Sequence, residues 1–321
     1  MYENQKNPTQ KRNQMPQNFE ENKQNTSKQS NDKGQKVEPR NMPMKPGFYL
    51  VATPIGNLRD ITFRALDVLS SVDLIICEDT RVTGKLMSAY GFKKRMQIYN
   101  DHSTDDQRET LLSLVQNGQS VAVLSDAGTP LISDPGYKLV RGAIEKKLYV
   151  TPIPGPNAAL TALQLSALPT DQFSFLGFLP PKTTARQAAL KKWETVPATL
   201  IIYETGPRLL ASLQDMRVTL GNRPASVMRE LTKMYEETMR GTLSDLIIHY
   251  TNKGPPKGEI VVAIGRGEKE VVSTESIESQ LKQALEKMSV RDAAEMVAQA
   301  TGKPKKTIYT LALKLSSSSK K

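Results

Sequence analysis

The chain has 321 residues, with 44 Lys or Arg against 33 Asp or Glu, for a formal net charge of +11. A single cysteine excludes a disulfide-stapled secreted scaffold, and no apolar run approaches the roughly 18 residues of a membrane helix. The first residues lack the apolar stretch of a signal peptide, so a reducing cytoplasm is the expected location.

The basic excess sits at the two ends. Residues 1–46 carry +4 and residues 276–321 carry +5, which leaves +2 for everything between. Lys and Arg near phosphates release counterions and speed encounter, so this distribution fits a polyanionic partner. A purely solubilising role fits the charge equally well.

Residues 1–46 hold fifteen Asn or Gln and few large apolar residues, among them Phe19 and Val37. Such a segment buries too little surface to offset its ordering entropy, so a disordered leader is expected. From Gly47 the texture changes. FYLVA, VDLIICED, VAVLSDAG and LYVTPIPG have the apolar runs of buried strands, and helical patterns cover 62–71, 80–90, 104–117 and 136–147. Strands alternating with helices of this length predict a mostly parallel sheet in a first α/β domain over 47–167.

A second α/β domain with a mixed sheet is expected over 168–272. Its strands are FSFLGF, TLIIYE, SVMREL, TMRGT and GEIVVAIG, with helices at 183–194 and 208–218. Two domains of this size favour a ligand cleft where they meet. After a polar linker, apolar positions recur at helical spacing: Leu281, Leu285 and Met288, then Ala293, Met296, Val297 and Ala300, then Ile308, Leu311 and Leu315. These predict a three-helix module over 276–315 that is helix-turn-helix-like, with Gly302 at the turn and a basic third helix.

Several chemistries lose support. Cys77, His102 and His249 have no metal-site spacing, and neither a phosphate-binding P-loop nor a nucleophile elbow is present, so metal-free chemistry is expected. Gly265-Arg-Gly267 is too short for a dinucleotide fingerprint and is taken as an ordinary turn. Four strand-end loops are instead dense in Gly, Pro and acidic residues: Thr53–Asp60, Glu78–Arg81, Ser125–Gly136 and Pro154–Ala158. In an open parallel sheet these ends share one edge, where ligands bind, and rigid loops of this kind suit an adenosine or methionine moiety. Tight βα turns have a similar composition, but four of them together favour a ligand site.

FYLVATPIGNLRDIT, EDTR, SDAGTPLISDPG, PIPGPNAALTAL, GFLPPK, the YE near 203 and RELTK with GE near 258 together resemble the tetrapyrrole methylase superfamily. Throughout 47–315 the similarity is to its branch that 2′-O-methylates a cytidine in the decoding region of 16S rRNA. The resemblance implies S-adenosylmethionine held folded between two α/β domains. By the same analogy Asp126, Gly128, Thr129, Pro130, Leu131, Ile132 and Ser133 form the central cofactor loop, and Pro154, Gly155, Pro156, Asn157 and Ala158 the second. Tyr203, Glu204, Gly258 and Glu259 close the site from the second domain, while Pro54, Gly56 and Asn57 lie nearer its entrance. The resemblance further implies a homodimer acting on 16S rRNA in the assembled small subunit. The leader is outside the common family plan, so activity is expected without it, and TGPR at 205–208 departs from the pattern.

Methyl transfer to a ribose hydroxyl needs alignment and loss of one proton. Candidates for the base or a nearby cation are Glu78, Asp79, Arg81, Asp101, His102, Glu230, Lys233 and Glu237, of which His102, Glu78, Arg81 and Lys233 are preferred. Structural readings of the same residues stay open, as a hydrogen-bonded Asp101-His102 pair and as salt-bridge networks. Lys93, Lys94, Arg95, Lys303, Lys305 and Lys306 are the candidate phosphate contacts, and Tyr309 could stack on a base or pack inward. Two other readings remain: a small-molecule (tetrapyrrole-type) methyltransferase, and a helix-turn-helix regulator that senses the cofactor.

Overall fold

A computed structural model of the chain describes residues 39–100, 102–267, 274–301 and 303–318. Most of the expected leader, Asp101 and Gly302 lie outside the described residues.

The first sheet contains β1 (Gly47–Val51), β2 (Leu74–Cys77), β3 (Met96–Ile98), β4 (Ser120–Leu124) and β5 (Val150–Ile153), in the order β3-β2-β4-β1-β5 and parallel throughout. The central strands β2 and β4 are buried along their whole length, as their unbroken apolar runs predict. The side-chain alternation of a strand divides the core in two. Tyr49, Val51, Ile75, Cys77, Ala122 and Leu124 pack under α1 (Phe63–Ser71) and α2 (Thr80–Ala89). Phe48, Leu74, Ile76, Val121 and Val123 pack on the opposite face under α3 (Asp105–Gln116) and α4 (Tyr137–Glu145). Edge strand β3 escapes the sequence reading because its three residues are only half-buried or exposed and carry no apolar run.

The second sheet contains β6 (Phe173–Phe178), β7 (Thr199–Thr205), β8 (Pro224–Arg229), β9 (Glu237–Thr242) and β10 (Glu259–Ile264), ordered β6-β7-β10-β8-β9. Only the β6–β7 pair is parallel. Alternation again assigns the faces. Leu200, Ile202, Val262 and Ile264 face a cluster built with α7 (Gly206–Leu220) and α8 (Leu243–Lys253), to which α6 (Thr183–Lys191) adds Leu190. Ile201, Tyr203, Val261 and Ala263 turn the other way, onto Ala159, Ala162 and Leu163 of α5 (Ala158–Leu165). Thus α5, which follows the first sheet in the chain, packs on the second and joins the two. Helix α8 carries its own start signal, a capping box between Thr242 and Asp245, which the sequence reading passed over.

The last three helices are α9 (Thr274–Leu285), α10 (Val290–Thr301) and α11 (Lys305–Ser318). Their core contains Leu281, Ala293, Val297 and Ile308, as the spacing predicts, together with Ala294, Ala298 and Ala312. Met296, Met288 and Ala300 are corrections to the expected core. Met296 is 45% exposed, Met288 sits in the turn after α9, and Ala300 is exposed. The alanines take these places because small side chains let α10 approach its neighbours closely.

Candidate active site

The parallel sheet delivers the carboxyl ends of β1, β2, β4 and β5 to one edge, and the loops leaving them are stabilised mainly by capping and by contact with each other. Asp79 is the N-cap of α2, accepting from the Arg81 N–H, and Asn157 is the N-cap of α5, accepting from the Leu160 N–H. The Asn157 side-chain N–H donates to Thr129 Oγ1 at 3.1 Å, and that hydroxyl donates to the Pro156 carbonyl at 3.0 Å, which ties the central loop to the last one. Thr53 and Gly128 exchange both backbone bonds, at 2.8 and 3.1 Å, and tie the central loop to the first.

The central loop holds unusual backbone. Gly128 has φ +82°, and Leu131 and Ser133 adopt left-handed conformations at φ 73° and 66°. For residues with a Cβ this costs of order 1–3 kcal/mol each and persists only where surrounding structure enforces it. A Cβ on Gly128 would lie 3.3 Å from Ile55, inside the space the loop encloses.

These loops and the second sheet enclose a cavity of about 320 Å³. The first sheet's loops contribute Ile55, Asp126, Ala127, Gly128, Thr129, Ile132, Ser133, Asp134, Asn157 and Ala158. The facing wall is Phe178, Tyr203, Glu204, Thr205, Leu231, Gly258, Glu259, Ile260 and Val261. Tyr203 is held by edge-to-face contacts with Phe175 and Phe178 at centroid separations of 4.8 and 5.6 Å.

Of the residues expected to bind cofactor, Asp126, Gly128, Thr129, Ile132, Ser133, Asn157, Ala158, Tyr203, Glu204, Gly258 and Glu259 line this cavity. Pro54, Gly56, Pro130, Leu131, Pro154, Gly155 and Pro156 do not line it, and shape the loops behind it. The Glu204 carboxylate is turned away. It is fully buried, accepts from the Thr205 N–H at 2.9 Å and from the Ser212 hydroxyl, and pairs with Arg208 at 3.2 Å. The atypical TGPR segment therefore supplies the counter-ion of Glu204 and the first turn of α7.

The preferred catalytic candidates also fall outside the lining. His102 is exposed on the loop after β3, with its backbone N–H donating to Asn100 Oδ1. Arg81 is 87% exposed and paired with Asp79 at 2.6 Å, which holds the Asp79 carboxyl down at about 2. Glu78 is half-buried at the end of β2. Arg81 and Asp79 nevertheless reach the cavity's edge through Asp126. Burial raises the Asp126 pKa; the Asp79 N–H and the Arg81 charge oppose that, and the Asp79 charge adds to it.

Lys233 organises the opposite rim, donating to Glu230 at 2.8 Å and Glu259 at 3.0 Å. Burial works against its ammonium, yet the two carboxylates hold its pKa above the ordinary lysine value. Glu230 has φ 52° and accepts from the Glu259 N–H, and Thr232 has φ 67° and accepts from the Asn57 N–H at 3.1 Å. The loop between β8 and β9 is thereby pinned to the loop after β1. Glu237 pairs instead with Lys253 and Arg229, outside the cavity.

Sequence reasoning missed Ile55, Ala127, Asp134, Phe178, Thr205, Leu231, Ile260 and Val261. Ile55, Ala127, Asp134, Phe178 and Leu231 lie inside the quoted motifs, and Val261 shares its sheet face with Tyr203, its register partner. Asp134 is the most perturbed acid of the site. Burial, opposed by the Ser125 hydroxyl and reinforced by the Asp126 charge, pushes it up to about 6.

The basic candidates are separately disposed. Lys93 and Arg95 are exposed, whereas Lys94 donates to the Val72 carbonyl at 2.9 Å. On the helical module Lys303 and Lys306 are exposed, Lys305 pairs with Glu295 at 2.7 Å, and Tyr309 is 39% exposed. Among the described residues there is no group of three or more His, Cys, Asp or Glu that could hold a metal, and no helix is long and apolar enough to cross a membrane.

Comparison with known proteins places this architecture. The family model for Tetrapyrrole (Corrin/Porphyrin) Methylases matches residues 47–247, and that for the RsmI C-terminal HTH domain matches 271–316. A ribosomal RNA small subunit methyltransferase I from Mesorhizobium japonicum is 46% identical, with 86% of this chain and 95% of that protein covered. Proteins of the same name from Erythrobacter litoralis and Escherichia coli O157:H7 are 50% and 43% identical, covering 85% and 83% of this chain and 96% and 94% of theirs. Among solved structures, diphthine synthase aligns with a TM-score of 0.54 at 14% identity, covering 68% of this chain and 89% of its own. A uroporphyrin-III C-methyl transferase from Thermus thermophilus, complexed with S-adenosyl homocysteine, aligns at 0.50 and 16%, covering 68% and 97%. With a family model across 47–247 and relatives more than 40% identical over most of its length, the chain belongs to the tetrapyrrole methylases and, within them, to the ribosomal RNA small subunit methyltransferase I family.

Proposed function

We propose that this protein transfers a methyl group from S-adenosylmethionine to the ribose 2′-hydroxyl of a cytidine in the decoding region of 16S rRNA, acting on the assembled small subunit. The observation that carries the reading is the cavity enclosed jointly by the strand-end loops of the parallel sheet and the β7–β10 face of the second sheet. Its volume lies at the small end of the range for small-molecule sites. Its chemistry fits a folded sulfonium donor: Ile55, Leu231 and Val261 offer apolar contact for a purine, while Asp126, Asn157 and the backbone around Gly128 and Gly258 offer polar partners. A Cβ on Gly258, at φ +102°, would run into Glu230 at 2.5 Å, so glycine there lets the wall close on the Glu230–Lys233 pair.

The bound donor supplies an electrophilic methyl group. The chain's own residues bind it, exclude water and align the incoming hydroxyl. The exposed basic residues Lys303 and Lys306 on the helical module, and Lys93 and Arg95 beside β3, make the phosphate contacts, and the homodimer that the resemblance implies extends that surface in the cytoplasm.

Purified protein, labelled S-adenosylmethionine and small subunits from a strain lacking this gene test the reading. Label on subunit RNA supports it. Label on a tetrapyrrole acceptor, with none on subunits, overturns it in favour of a small-molecule methylase.

A further inference from the structure

Four carboxylates line the cavity: Asp126, Asp134, Glu204 and Glu259. Three have other commitments. Glu204 is sealed into the first turns of α7, Glu259 has its side chain 72% exposed and neutralised by Lys233, and Asp126 faces Asp79 and Arg81. Asp134 is different. It is half-buried, makes no ion pair among the described residues, and meets the Ser125 hydroxyl and the charge of Asp126.

Its backbone setting is also particular. Ser133, directly before it, and Leu131, two residues earlier still, are both left-handed, and a Cβ on Gly177 of β6 would lie 2.9 Å from Ser133 Oγ, so the loop is seated against the second sheet. Strain of this kind collects where a side chain must be held in one place. Asp134 also bears on Tyr203 across the cavity. Burial raises the pKa of that phenol, the Ala159 backbone opposes this, and the charges of Asp134 and Glu259 add to it.

Building on the reading above, we propose that Asp134 is the base that accepts the proton of the attacking ribose hydroxyl. As the hydroxyl oxygen bonds to the methyl carbon of the sulfonium donor, its proton passes to an Asp134 carboxylate oxygen. The electron pair of the broken carbon–sulfur bond stays on sulfur, which leaves as a neutral thioether. A base with its pKa raised toward 7 suits this work, since it is ionised at neutral pH and still holds a proton better than an ordinary aspartate. The groups facing it are Ser125 and Asp126 on the β4 side, with Asp79 and Arg81 behind Asp126, and Tyr203 on β7, with Glu259 beyond that phenol.

The test compares the full-length chain with Asp134→Asn and Asp134→Glu, using S-adenosylmethionine binding by calorimetry, thermal stability against pH, and single-turnover transfer to subunits. Asp134→Asn is expected to keep donor affinity within about threefold and to lose about a hundredfold or more in rate, with the acid limb of the pH profile removed. Asp134→Glu is expected to regain part of the rate and the limb. Stability supplies a readout independent of turnover. The native Asp134 carboxyl holds its proton up to about 6 against an ordinary 3.8, so the wild type loses stability between those values as pH rises and Asp134→Asn does not. An Asn variant with wild-type rate or an unchanged acid limb overturns the proposal. So does donor affinity that falls in step with rate, which would make Asp134 a donor anchor. If the wild type labels no subunit, the ribosomal reading fails and takes this proposal with it; if the wild type labels and Asp134→Asn labels equally, the proposal alone fails.

Discussion

The two sheets reach one cavity by different physical means. The parallel sheet contributes loops whose backbone does the shaping: a positive-φ glycine, two left-handed residues with side chains, and caps that serve both helix and site. The mixed sheet contributes one face of β7 and β10, where Tyr203, Val261 and their neighbours are placed by strand alternation alone. A site half made of loops and half of a strand face should fail in two distinguishable ways, through backbone shape on one side and through the supporting core on the other.

The largest expected effect lies in that core. Arg186 and Asp215 form a buried pair at 2.6 Å, with the Arg186 guanidinium also donating to the Pro181 carbonyl at 3.0 Å. Removing one member leaves an uncompensated buried charge, so Asp215→Ala should cost about 3–5 kcal/mol in urea unfolding. Donor affinity of the fraction still folded should be unchanged. A large loss of affinity in that fraction would mean that the wall is not an independent strand face.

Next comes the loop side. Gly128→Val forces a branched side chain into φ +82° and into the cavity against Ile55, and should weaken S-adenosylmethionine binding about a hundredfold by calorimetry, or about 2.7 kcal/mol. Wild-type affinity would remove the central loop from the site. A smaller effect, about tenfold in subunit affinity with a shallower salt dependence, is expected from reversing Lys303 and Lys306 together to Glu. Asn157→Ala removes the cap of α5 and its bond to Thr129, and should lower stability by about 1 kcal/mol.

The smallest effect concerns pH. Arg81 lowers Asp79 to about 2, so this exposed pair adds a little stability above the ordinary value of 3.8, lost as pH falls through about 2. Asp79→Asn should flatten that acid limb and lower the neutral-pH midpoint by the same small amount.

The same contrast explains what the amino-acid string reveals. Unbroken apolar runs announce β2 and β4, and Gly, Pro and Asp clusters announce the loops, because backbone that must turn tightly or approach a ligand restricts residue choice. A wall residue on a strand face needs only to be apolar and in register, so Val261 looks like any other core residue. Charge was a weaker guide. Histidine is the residue type best suited to proton transfer near neutral pH, yet the loop of His102 does not reach the cavity, whereas Asp134 reads as one more turn aspartate and owes its distinctiveness to burial beside Asp126. Edge strand β3 shows the same limit from the other side: half-buried and short, it has no periodicity to betray it.

The most direct test of the account is nucleoside mass spectrometry of 16S rRNA fragments from small subunits of a strain lacking this gene, after incubation with the purified protein and S-adenosylmethionine. The expected product is 2′-O-methylcytidine at a single position in the decoding region, formed by the wild type and not by Gly128→Val at donor concentrations that saturate the wild type. A methyl group on a base, on another region of the RNA, or on no nucleoside at all would contradict it.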